Sequence, residues 1–157
     1  MQKRLLASIV GGTMVLGGAA PFAGALFRLE IGPPIAGGAS TKKAVLVARP
    51  LCCDPATVRI TATAEGIVNG TRRSIPLEVQ ALSAPGVHAI PRQWPDGQWV
   101  LNLTGTCAER GATASAVVPL TATGFDREKT QILARAATDE EIETALRDAP
   151  ALARVSR

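Results

Sequence analysis

The stretch Gln93 to Cys107, QWPDGQWVLNLTGTC, constrains this chain more than any other. Pro95-Asp96-Gly97 is a turn for physical reasons: proline presets φ, aspartate tolerates turn geometry and glycine accepts a positive φ. Beyond it Trp99, Leu101 and Leu103 alternate with Gln98, Val100, Asn102 and Thr104. A period of two, with one strongly apolar face and one mixed face, predicts a half-buried strand. Gly105 is expected to end it. Cys107 would then sit just past the end, placed to tie the strand to an earlier part of the chain.

The flanking sequence repeats the β pattern. Ala44 to Ala48 is an apolar run that predicts a first strand, and Arg49 to Pro55, with Cys52 and Cys53, predicts a loop. Val58, Ile60, Ala62 and Ala64 alternate with Arg59, Thr61, Thr63 and Glu65. Asn69-Gly70 follows, the strongest short hairpin signal. With those two residues as the loop, Ala64 falls opposite Ile75, Ala62 opposite Leu77 and Ile60 opposite Val79, all on one apolar face. Thr61 would meet Glu78 and Arg59 would meet Gln80 on the other face. A one-residue slip destroys this match. Pro76 cannot donate a ladder bond, so its strand belongs at an edge or carries a bulge. Ala84-Pro85-Gly86 is a turn, Val87 to Ile90 a short strand, and Ala114 to Thr123 the last clear strand. Six or seven short strands with regular turns predict an all-β, antiparallel, immunoglobulin-like sandwich.

The ends read differently. Met1 to Arg4 is a positive n-region, Leu5 to Gly18 an apolar h-region, and Ala23-Gly24-Ala25 a small-x-small cleavage pattern. Residues 1–25 are therefore expected to be a signal peptide. The alternative is a retained anchor, a membrane tether through residues 5–27, because Leu5 to Phe27 carries no charge and is long enough to span a bilayer. Residues 26–43 are expected to be a linker, rich in Pro, Gly, Ala, Ser and Thr. The sandwich domain is placed at 44–137, with Asp126 to Ala137 extended. Thr138-Asp139-Glu140-Glu141 is a capping box. Ile142, Ala145, Leu146 and Ala149 recur at helical spacing. A helix at 138–149 follows, ended by Pro150, with a disordered tail at 150–157. So short a helix must dock on the sandwich or on a partner.

Composition narrows the function classes. The 157 residues are 46% apolar but only 3% aromatic, so the core is aliphatic. The net charge is +4, and Lys3 and Arg4 lie in the targeting segment. The basic balance is thus partly a targeting signal, and nucleic-acid binding, which wants a basic stripe with stacking aromatics, is not expected. Cys52, Cys53 and Cys107 are the three cysteines. In an exported chain they favour a disulfide from Cys52 or Cys53 to Cys107. It would close a loop of about 55 residues, worth roughly 4 kcal/mol in the chain-entropy model. A metal site would need those thiols and His88, without any standard zinc spacing, so no metal and no cofactor are expected. There is no GxSxG or HExxH, and with one histidine no nucleophile–base–orienter set is visible. Asp54, Glu65, Asp96 and Glu109 read as turn or surface residues. Asn69-Gly70-Thr71 and Asn102-Leu103-Thr104 match the glycosylation pattern, though a hairpin turn and a strand explain them better. Trp99 reads as core. Trp94, a partly exposed cap of the turn, and His88 are the candidate contact residues.

Pro85-Gly86-Val87-His88-Ala89-Ile90, then Trp94 to Leu103, then Ser115 to Leu120, resembles the FixH/YtkA-like group of small extracytoplasmic β-sandwich domains. The shared pattern is a Gly-led strand, a Pro/Gly turn, a G-x-W strand and a final apolar strand. The resemblance implies the fold. His88 stands where an aromatic is usual, and no Met- or His-rich copper segment is present. Some members of that group are associated with metal handling or respiratory assembly. The resemblance carries no function across, and with no catalytic or metal-binding set visible the expected function is an exported, non-catalytic interaction or accessory module with a protein partner. The alternative is an extracytoplasmic, copper-type metal-handling accessory protein.

Overall fold

The computed structural model describes residues 26–34, 43–51 and 53–152. The expected signal peptide and Cys52 lie outside the described residues, as does the tail beyond residue 152. The described chain forms eleven strands and one α-helix: β1 (Arg28–Gly32), β2 (Ala44–Leu51), β3 (Val58–Val68), β4 (Thr71–Leu77), β5 (Gln80–Ala81), β6 (His88–Pro91), β7 (Gly97–Cys107), β8 (Ala112–Thr121), β9 (Gly124–Phe125), β10 (Gln131–Leu133), α1 (Asp139–Asp148) and β11 (Ala151–Leu152). They build an antiparallel β-sandwich. The smaller sheet runs β1-β2-β6-β5 and the larger β10-β8-β7-β3-β4. Hairpins alternate between the two sheets: β1–β2 in the small, β3–β4 in the large, β5–β6 in the small, β7–β8 in the large.

β7 is the middle of the large sheet, bonded along its length to β3 and, from Val100 on, to β8. Its inward residues Trp99, Leu101 and Leu103 are fully buried. They meet Leu29, Leu46, Ala48 and Ile90 of the small sheet in one core cluster. Each aliphatic side chain so buried is worth about 1.5–3 kcal/mol. The strand does not stop at Gly105. Val58 and Ala112 both pair with Cys107 and carry the ladder to that residue.

The Asn69-Gly70 turn has positive φ at both residues, 52° and 75°, as a tight hairpin of this twist requires. The register is the expected one: Ala64 opposite Ile75 and Ala62 opposite Leu77. β4 is the edge of the large sheet and Pro76 lies exposed on it. The expected pairs beyond Leu77 do not form. The chain leaves the large sheet there, and Gln80-Ala81 joins the small one beside β6. Gln93 holds the departure point: the Glu78 N–H donates to Gln93 Oε1 at 2.8 Å, and Gln93 Nε2 donates to the Glu78 carbonyl at 3.0 Å.

Three further expectations are corrected. The segment read as a disordered tail from residue 150 begins with β11, whose Ala151 and Leu152 pair with Gln98 and Gly97 of β7. The segment read as a linker holds β1, whose Leu29 is buried, as is Phe27 just before it. The segment read as a loop after Ala48 is still strand, to Leu51. Past Ala48 it has β1 on one side and no longer β6 on the other. A proline such as Pro50 is tolerated in a strand with one neighbour.

The helix forms a third layer. Thr138 and Glu141 make the full capping box. Ile142, Ala145, Leu146 and Ala149 pack on Val100 and Val117, on the outer face of the large sheet. Gln98 Nε2 donates to the carbonyls of Leu146 and Ala149 and so fixes the helix C-terminus to β7.

Candidate functional site

The Cys53–Cys107 disulfide joins the loop between β2 and β3 to the end of β7, with Cα atoms 6.5 Å apart. It ties the crossover from small to large sheet to the central strand. Trp94 is not an exposed cap. It is 5% exposed and belongs to the core cluster. His88 is half-buried on β6, with Nδ1 donating to the Gly86 carbonyl at 3.0 Å. The structure therefore does not bring Trp94 and His88 to a common surface. Nor does it gather metal ligands: Cys53 and Cys107 are bonded to each other, and no group of three His, Cys, Asp or Glu side chains occurs among the described residues.

The acidic candidates separate. Asp54 caps a short 3-10 turn by accepting from the Ala56 N–H at 3.0 Å. Asp96 pairs with Arg92 at 3.2 Å, and Glu109 lies exposed in a second 3-10 turn. Glu65 departs from its surface reading. It is 8% exposed and accepts from Ser74 Oγ at 2.6 Å. Arg72 lies 3.8 Å from Glu65 and donates to Glu143 of α1 at 2.7 Å, which makes Glu65 part of the tie between the β3–β4 hairpin and the helix.

On one side of the sandwich the edges of both sheets meet, β1 from the small and β10 from the large. A groove of 380 Å³ lies there, lined by Leu29, Ile31, Leu51, Phe125 and Ile132 with Arg28 and Arg127 at its rim. A second hollow of 310 Å³ shares Glu30, Ile31 and Arg127 with it. The large apolar side chains that are exposed among the described residues are Ile132, at 42%, and Leu26, at 74%, two residues before β1.

Local chemistry sets this geometry. β1 reaches the large sheet because Gly105 has no side chain: a Cβ there would stand 2.8 Å from Leu29 Cδ2 and 3.1 Å from Phe27 Cζ. Asp126 shapes the loop bearing Arg127. Its Oδ1 accepts from the N–H groups of Glu128 and Lys129, each at 3.1 Å, and Thr130 Oγ1 donates to its carbonyl at 2.7 Å. Glu30 and Arg49 pair directly across β1 and β2. Among the described residues Arg28 and Arg127 have no carboxylate partner. A further groove of 470 Å³, between the Asn69-Gly70 turn and α1, is spanned by the Arg72–Glu143 pair.

No family model, curated protein or solved structure matches the chain. The disulfide is compatible with a location outside the cytoplasm. Among the described residues no helix is long and apolar enough to cross a membrane. The β1–β10 groove was not singled out by sequence reasoning, yet a signal for it was present: Phe27-Arg28-Leu29-Glu30-Ile31 alternates as a strand does, inside a stretch dominated by Pro and Gly.

Proposed function

We propose that the protein is an exported, non-catalytic β-sandwich module that binds another protein through the side where β1 and β10 meet. The observation that carries this reading is the coincidence there of two strand edges that have no further strand beside them among the described residues with an apolar-floored groove and exposed Ile132. Strand edges of this kind recruit protein segments. Export is supported by the disulfide and by the targeting pattern at the N-terminus. A protein partner is favoured over nucleic acid because Trp94 and Trp99, the chain's two tryptophans, are both buried and offer no stacking platform. A non-catalytic role is favoured because the groove's charged groups are arginines and a glutamate already paired with Arg49.

The test places a photo-crosslinking residue at Ile132 in the exported chain and, separately, at Arg73 on the opposite edge strand β4. A discrete adduct with a second protein from position 132 and none from position 73 is expected. No adduct from 132, or equal adducts from both, would reject the reading.

A further inference from the structure

We propose that the β1 edge takes up an extended segment of a partner protein in which acidic and apolar residues alternate, added as a further strand of the small sheet. The proposal rests on the protein-binding reading above and names the partner's chemistry. Among the described residues β1 has a hydrogen-bonded neighbour on one side only, β2. Its other side presents N–H and C=O groups at strand spacing. The remaining long edge, β4, is blunted by Pro76 and by Arg72 and Arg73. β1 has no proline, and its register with β2 runs without a bulge from Arg28–Leu51 to Gly32–Val47.

The flanking side chains dictate what the added strand must carry. Alternate residues of a strand face opposite sides. Those facing inward would extend the row of Leu29 and Ile31 and come over Phe125 and Ile132, so they must be apolar. Those facing outward would lie beside Arg28 and beside Glu30, whose charge is already paired with Arg49. The rim holds Arg28, Arg49 and Arg127 against Glu30 alone, an excess of positive charge that acidic residues complement. A second copy of β1 is a poorer occupant. Two-fold antiparallel pairing centred on Leu29 would set Arg28 against Glu30, but that glutamate is already paired with Arg49, and the joined rims would keep the same excess of arginine over glutamate.

The test selects a randomised displayed library of peptides of about eight residues, a common strand length, against the oxidised protein. Sequences alternating Asp or Glu with Val, Ile, Leu or Phe should be enriched. A synthetic peptide of that set should lose about tenfold or more in affinity for the Arg28→Glu/Arg127→Glu double variant, and regain it when its acids become lysines. Backbone N-methylation of one alternate set of residues should abolish binding, and methylation of the other set should not. Enrichment without the alternation, equal affinity for the double variant, or indifference to N-methylation would overturn the proposal. So would a dimer of the free protein, in sedimentation, whose formation is blocked by the selected peptide, because the edge would then belong to a second copy. A crosslinked adduct at Ile132 with no acidic peptide selected would leave the protein-binding reading standing and remove strand addition. Absence of the adduct removes the reading itself.

Discussion

Gly105 shows how a single residue decides the geometry of this sandwich. In the sequence it reads as a strand terminator. In the fold it lies inside β7, at the place where Leu29 and Phe27 press against the large sheet. Gly105→Val should therefore lift β1 at a cost of about 1–3 kcal/mol, the usual range for overpacking. Proteolysis between residues 26 and 34 should accelerate while β3 and β8 remain protected; unchanged cleavage would show that β1 does not depend on that contact. Cysteine chemistry is the second residue-scale case. Spacing left Cys52 and Cys53 equivalent, because neighbours differ only in the direction their side chains take. The structure selects Cys53, partly buried against the core cluster. Cys53→Ser should cost roughly 4 kcal/mol in the chain-entropy model, and non-reducing peptide maps should link Cys53 to Cys107. Linkage of Cys52 to Cys107 would contradict the assignment.

At the scale of elements, α1 was legible as a helix because its cap and its apolar stripe are local. Where it docks was not. Its seat is Val100 and Val117, which belong to the mixed outer faces of β7 and β8, and a mixed face does not announce a cover. Thr138→Ala should cost about 1 kcal/mol and speed hydrogen exchange across residues 139–148. Glu141 gives the helix a pH dependence. Its carboxyl pKa is lowered from 4.5 to about 2, first by hydrogen bonding to the Arg135 guanidinium and next by the Thr138 N–H. A lowered folded-state pKa adds stability above the unfolded value and loses it as pH falls through the folded one. The melting temperature should thus decline between about pH 4.5 and 2, and Glu141→Gln should flatten that part of the profile. Identical profiles would show that the carboxylate does not contribute. The β4–β5 switch was illegible for a different reason. The alternation of Ile75, Leu77 and Val79 continues through it, and the departure is set by Gln93, which is distant in sequence.

For the whole molecule, the period of two located the central strand, and the Asn69-Gly70 loop set its neighbour's register. Neither says which sheet a strand joins, because both faces of a sandwich core demand the same alternation. That ambiguity hid β1 within an apparent linker and with it the open side that carries the functional reading. Trp94 was misplaced for a related reason: a residue beside a turn looks exposed until the opposite sheet is known to cover it.

Binding at the β1 edge requires β1 to be an ordered strand with one free side. Residue-resolved hydrogen exchange of the oxidised, monomeric protein tests this directly. The amides of residues 28–32 should divide into a slow set bonded to β2 and a fast set facing the open side, while those of β7 exchange slowest of all. Uniformly fast exchange across 28–32 would return the segment to a linker, and uniformly slow exchange would show that the edge is already occupied; either result contradicts the account.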